Sequence, residues 1–162
     1  MPAADSKTAD DIRIFVDADA CPVKDEVFRV AGRHGLHVFV VANSYMRLPS
    51  APLIERVLVE DGPDVADDWI ADHARARDIV ITADIPLADR ALSAGAAVIA
   101  PDGKLLTQEN IGMRLATRNL MADIRAATHT QTHNPAFTAR DRSAFLQTLE
   151  NTVQRLSREL PR

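Results

Sequence analysis

A single cysteine, Cys21, stands in a chain of 162 residues. One thiol excludes an internal disulfide framework, and it excludes any zinc or iron–sulfur centre built from several thiolates of one chain. Aromatic residues are nearly as sparse: one tryptophan, one tyrosine and five phenylalanines, too few for the ladder of rings on which successive bases stack. No apolar run approaches the roughly 18 to 20 residues that a helical bilayer span requires, which excludes a helical membrane protein. Lysine occurs only as Lys7, Lys24 and Lys104. The opening MPAADSKTADD lacks a cationic leader and an apolar stretch, so residues 1–11 read as a polar tail and the cytoplasm is the expected compartment.

What remains has the makings of a compact globular unit. Apolar residues make up 46% and charged residues 26%, and the length suits one domain over residues 12–162 with a core of its own. The net charge of −4 is unevenly spread: residues 1–103 carry 10 Lys+Arg against 18 Asp+Glu, whereas residues 104–162 carry 9 against 5. Solvated helix surfaces account for most such asymmetry; an acidic pocket beside a basic surface is the functional alternative.

Short apolar runs alternate with helical spacing. Strands are expected at Ile12 to Val16, Val38 to Val41, Val57 to Val59, Ile79 to Ile81 and Ala97 to Ile99. Between them, Lys24 to Arg33 spaces Val27, Val30 and Ala31 as one helix face and stops before Gly35, while GPD opens a helix marked by Val65, Ala66, Trp69, Ile70 and His73. Pro86 begins a further helix carrying Leu87, Ala91 and Leu92. From Lys104 onward the pattern is helical only, about Gln108 to Ala126 and then Thr138 to Leu160, joined by THTQTHNP. Phe145, Leu149, Val153, Leu156 and Leu160 form one stripe, expected to face the core rather than a dimer seam. Continuous apolar strands separated by helices predict a doubly wound α/β fold with a mainly parallel sheet of about five strands and helices on both faces.

Carboxylates gather where strands end, which is where ligands bind in an open α/β sheet. Asp17 and Asp19 follow the first strand, Asp84 follows the fourth, and Asp89 lies about a turn further along. Asp64, Asp67 and Asp68 occupy the first turn of the middle helix, where at least one is expected to cap amides. If strands one and four are neighbours, Asp17 and Asp84 are side by side and repel unless a cation or a proton intervenes. Oxygen ligands without His or Cys favour Mg²⁺ or Mn²⁺, whose chemistry with phosphates is transfer or hydrolysis. Asp19 reads as a supporting or loop-bracing carboxylate. Asn43 and Ser44 end strand two on the same edge and suit either phosphate oxygens or a turn. Arg47, Arg114 and Arg118 are candidate phosphate contacts, or plain surface charge. Cys21 reads as a packed, inert thiol, and the five histidines lack metal-ligand spacing.

The strings VDADACP, VANS, GPDVADDWI, VITADIPLAD and ENIGMRLATRNLM resemble the YaiI/YqxD-like family of uncharacterised bacterial proteins, over nearly the whole chain from Ile12 onward. That family is grouped with PIN-like and NYN-like nuclease folds, so the resemblance implies a PIN-like domain with metal-binding acids at the strand ends. Residue by residue, Asp17 matches the acid after strand one, Asp68 or its neighbour Asp67 the acid of the middle helix, and Asp84 the acid of the TAD segment. Asp89 falls near a further acid of some relatives.

The resulting expectation is hydrolysis of RNA phosphodiesters by Mg²⁺ or Mn²⁺ at Asp17, Asp68 and Asp84, with Asp19, Asp67 and Asp89 in support and Asn43, Ser44, Arg114 and Arg118 toward substrate. RNA is the expected partner, and a homodimer is left open. Two alternatives stand beside it. Asp17-x-Asp19 with Ser44 is similar to haloacid-dehalogenase phosphatases, although no lysine is well placed for that chemistry. A non-catalytic nucleotide or RNA-binding module would keep the acids for the fold or a partner.

Overall fold

The structure is a computed structural model, and it describes residues 12–114, 116 and 137–159. Six strands form one sheet: β1 (Arg13–Asp17), β2 (His37–Ala42), β3 (Ile54–Leu58), β4 (Ile79–Ile81), β5 (Ala97–Ile99) and β6 (Leu105–Leu106). Their order is β3-β2-β1-β4-β5-β6. The first five pair in parallel, and β6 returns antiparallel along β5. The five expected strands are all present. The sixth, only two residues long, is too short to leave an alternation in the sequence, and the PDG turn before it makes a hairpin possible at that edge.

Helices α1 (Lys24–His34), α2 (Val65–His73), α3 (Ile85–Ser93) and α5 (Ala139–Arg158) cover the sheet, and α4 is described over residues 108–114. Side chains of successive strand residues point to opposite faces, which separates two cores. Ile14, Val16, Val38, Val40, Ile79 and Ile81 pack under α1 and α5, with Val27, Val30, Phe145, Leu149 and Val153. Phe15, Val41, Val80 and Val98 pack under α2 and α3, with Ile70, Ala74, Leu87 and Ala91, and Ile111 of α4 joins them. The fold is doubly wound. The stripe on α5 faces the core as its spacing predicts, with Phe145, Leu149, Val153 and Leu156 buried; Leu160, Arg118 and the rest of the helix expected to reach Ala126 lie outside the described residues.

Local sequence sets the helix ends. Gly35 closes α1 in the left-handed conformation that glycine adopts without strain, φ 68°. Thr138 and Asp141 form a reciprocal capping box at the start of α5. Gly103, between β5 and β6, lets α5 approach closely: a Cβ there would lie 2.6 Å from the Ala144 carbonyl carbon. Its own carbonyl accepts the Thr148 hydroxyl at 2.7 Å. Among the described residues, no helix is long and apolar enough to cross a membrane.

Candidate functional site

The order β2-β1-β4-β5 puts the reversal of winding between β1 and β4, and this is the place where a doubly wound sheet opens a crevice. Val16 pairs in register with Ile81. The next residue on each strand is therefore Asp17 and Thr82, side by side at the carboxyl edge. The Thr82 hydroxyl donates to Oδ2 of Asp17 at 2.8 Å. The Thr82 hydroxyl oxygen in turn accepts the backbone N–H of Asp84 at 3.0 Å. Asp84 then caps α3, its Oδ1 accepting from the Leu87 amide at 2.8 Å, with Pro86 set in the first turn. Each carboxylate thus has one oxygen in a protein hydrogen bond and keeps a second for a ligand.

Burial pushes the Asp17 carboxyl above its usual range, the Thr82 hydrogen bond opposes this, and the charges of Asp84 and Asp19 add to it. Asp67 is pushed up to about 6, first by desolvation and then by the charges of Asp84 and Asp17. It belongs to the same electrostatic cluster. The reason is helical spacing: Asp67 lies three residues before Ile70 and seven before Ala74, both buried on the sheet, so it shares their face. Trp69 fixes that face further, its ring 6.0 Å from Phe15 and 6.2 Å from Phe39.

Asp68 falls on the outer side of the same turn. It is exposed and pairs with Arg90 of α3 at 2.7 Å, whereas Asp67 is the half-buried acid of that turn, and its carboxyl is influenced by the charges of Asp84 and Asp17. The expected side-chain cap of α2 is also absent. Asp64 holds the N-cap position with φ 69° but no side-chain cap bond, and its carbonyl accepts the Asp68 amide at 2.8 Å. Asp89 is exposed on α3.

Asp19 braces a loop. Its Oδ2 accepts the Asn43 amide at 3.0 Å and its Oδ1 the Ser44 hydroxyl at 3.2 Å, tying the exit of β1 to the exit of β2. Asn43 and Ser44 are therefore held at the crevice rim by a carboxylate. Arg114 is half-buried on α4. Lys24 donates to the Cys21 carbonyl at 2.8 Å and Lys104 is exposed between β5 and β6, so among the described residues the phosphatase-like reading gains no lysine at the acids; Lys7 lies outside them. Burial pushes the Cys21 thiol up, in keeping with an inert side chain. His34 contacts Glu150, His37 stacks on Phe39 and His73 on Trp69; His129 and His133 lie outside the described residues.

The amino ends of β1 and β4 are joined differently. Arg13 makes a forked pair with buried Asp78, Nη2 to Oδ2 at 2.7 Å and Nε to Oδ1 at 3.0 Å. A cavity of about 470 Å³ opens near that end, between Ala97, Leu105 and Leu156. Its rim charges include Arg155 and Glu159, 3.6 Å apart, and it holds none of the clustered aspartates. The clustered aspartates lie at the opposite, carboxyl edge of the sheet.

Among the described residues, no three acidic, imidazole or thiol groups converge as a ready-made metal cage. Asp17 and Asp84 carry hard oxygens, and Asp17 and Asp67 are raised first by burial and then by the charge of neighbouring acids.

The model of the "Uncharacterized BCR, YaiI/YqxD family" matches residues 15–155. A UPF0178 protein of Nitrobacter winogradskyi is 58% identical over 147 residues, covering 91% of this chain and 94% of that protein. A UPF0178 protein of Rhodopseudomonas palustris (strain HaA2) is 56% identical over 149 residues, 92% and 91% of the two chains. One of Parvibaculum lavamentivorans is 56% identical over 148 residues, 91% and 97%. No solved structure matches the chain. With a family model spanning most of its length and relatives this similar over nearly all of it, the chain belongs to the uncharacterised YaiI/YqxD family.

Proposed function

We propose that the protein hydrolyses phosphodiester bonds of RNA with Mg²⁺ or Mn²⁺ held by Asp17 and Asp84 and balanced by Asp67, a PIN-like use of a doubly wound sheet. One observation carries this reading: Thr82 links Asp17 and the Asp84 backbone through a single hydroxyl at the switch point, and a third acid, Asp67, is raised to about 6 beside them. Carboxylates under mutual repulsion in a crevice are arranged for a positive ligand. The cation, when bound, polarises a phosphate oxygen and makes hydroxide available at neutral pH.

The chain's own groups do the positioning. Thr82 fixes the rotamer of Asp17, and the α3 amide of Leu87 fixes Asp84. Asp19 holds the rim at Asn43 and Ser44, where backbone and hydroxyl groups can steady a strand at the crevice. Arg114 and Arg118, on the basic later part of the chain, are assigned to the phosphate backbone.

The test is cleavage of end-labelled single-stranded RNA with Mn²⁺, Mg²⁺ or EDTA, comparing wild type with Asp17→Asn and Asp84→Asn. Metal-dependent cleavage lost in both variants is expected. A wild type that cuts no RNA with either metal and shows no Mn²⁺ shift in melting temperature overturns the reading, and RNA binding without turnover would select the binding module instead.

A further inference from the structure

Aromatic rings in this chain are packed away with one exception. Phe15 and Phe39 stack at 5.0 Å beneath Trp69, Phe145 is fully buried, and Phe28 and Phe137 pack against the core. Tyr45 is 73% exposed. The Arg56 guanidinium lies 4.5 Å from its ring centroid, and Nη2 of Arg56 donates to the Met46 carbonyl at 3.1 Å. Met46 and Leu48 pack down on the core, so the loop is anchored while the tyrosine stands out of it. One ring face of the tyrosine is covered by the guanidinium, and most of the ring remains in water.

Its position follows from register. Val16 pairs with Val40, and Val40 with Arg56. Arg56 is thus two strand spacings, about 10 Å, from the residue that precedes Asp17. The chain reaches Tyr45 directly after Ser44, whose hydroxyl is bonded to Asp19 at 3.2 Å. Tyr45 therefore adjoins the Asp19-braced rim at Ser44, while Arg56 shares the sheet face of Val16 and Val40, opposite to that of Asp17.

We propose that Tyr45 and Arg56 form a platform that stacks a base of single-stranded RNA beside the acidic crevice, one ring face backed by the guanidinium and the other offered to the base. This rests on the phosphodiesterase reading for its substrate class, and names single-stranded over duplex RNA, since only unpaired bases present a face to stack. Arg56 contributes its charge to the adjoining phosphate.

The experiment measures binding of fluorescein-labelled oligouridylate by anisotropy in EDTA, where no cleavage occurs. Tyr45→Ala should weaken binding about five- to hundredfold, as for loss of one stacked base, and Tyr45→Phe should stay within about twofold of wild type. A strand of the same length with abasic sugars should bind wild type and Tyr45→Ala alike. Arg56→Gln should lower the salt slope by about 0.7. Wild-type affinity in Tyr45→Ala, or an equal loss on the abasic strand, overturns the platform, as does a duplex that binds as tightly and depends on Tyr45 as strongly. Tyr45→Leu, which keeps an apolar side chain in the loop, checks that any loss follows the ring and not the loop's fold. Tyr45-dependent binding without metal-dependent cleavage sinks hydrolysis and keeps the platform; cleavage indifferent to Tyr45 does the reverse.

Discussion

Thr82 donates its hydroxyl to Asp17 across the β1–β4 boundary at 2.8 Å, and with its lone pairs it receives the amide of Asp84 at 3.0 Å. One buried side chain thereby sets two of the three acids. Thr82→Val, which conserves shape, leaves a half-buried carboxylate without its donor and an amide without its acceptor. A loss of about 1 to 3 kcal/mol is expected in urea unfolding, with weaker Mn²⁺ binding. Thr82→Ser keeps the hydroxyl and should restore metal binding; an equal loss in both variants would assign Thr82 to packing alone.

Asp17 and Asp78 are acids of opposite kind. Asp17→Asn removes one charge from a repelling cluster while still accepting the Thr82 hydrogen bond, so the metal-free variant should melt at or above wild type and lose the Mn²⁺-induced rise. Asp78→Ala removes the acceptor of the Arg13 fork and of the Arg75 amide and should cost about 1 to 3 kcal/mol, since the Arg13 side chain is partly exposed. Thermal melts with and without Mn²⁺ read both. A destabilised Asp17→Asn beside a metal-indifferent wild type would make Asp17 structural too.

Asp67 and Asp68 are adjacent in sequence and opposed in role. Asp67→Asn should reduce the Mn²⁺ melting shift by more than half, whereas Asp68→Asn, which breaks only the exposed pair with Arg90, should leave it within error and change stability little. Titration of each variant with Mn²⁺ by calorimetry ranks them, and the reverse ranking would return the assignment to Asp68.

The pH response of the metal-free protein follows from Asp67. Its folded-state value of about 6 stands above the ordinary 3.8, so the native state holds a proton more tightly than the unfolded chain. Its contribution is unfavourable above about pH 6 and is relieved as pH falls from 6 toward 4. Glu150, whose carboxyl is lowered chiefly by Gln154 and then His34, works the other way and loses stabilisation as pH falls through that lower range. The difference between wild type and Asp67→Asn isolates the first effect: the variant should be the more stable at pH 8 and the gap should close by pH 4. Half-exposure of the group makes the gap shrink in high salt. A gap constant across that range would remove Asp67 from the cluster.

The sequence alone determined the strands and most helices, because buried parallel strands are short apolar runs and Gly35, Pro86 and Thr138 mark helix ends by local chemistry. It also placed Asp17 and Asp84 at strand exits, since Asp17 follows an apolar run directly and Asp84 follows one after Thr82 and Ala83. The sequence leaves the middle-helix acid as Asp68 or Asp67, and helical spacing separates them: Ile70 and Ala74 repeat from Asp67, not from Asp68, at three and seven residues. What only the tertiary structure decided depends on pairs distant along the chain. Thr82 carries no signal until β4 lies against β1 in register, and Asp19 becomes a brace only when β2 returns beside it. The two-residue β6 forms because β5 offers it a partner. Tyr45 reads as one scarce ring among few until packing hides the others and leaves it in water beside Arg56. Local propensity fixes elements over a few residues; the meeting of side chains 65 positions apart, as for Asp17 and Thr82, is set by sheet order and register, which no local pattern encodes.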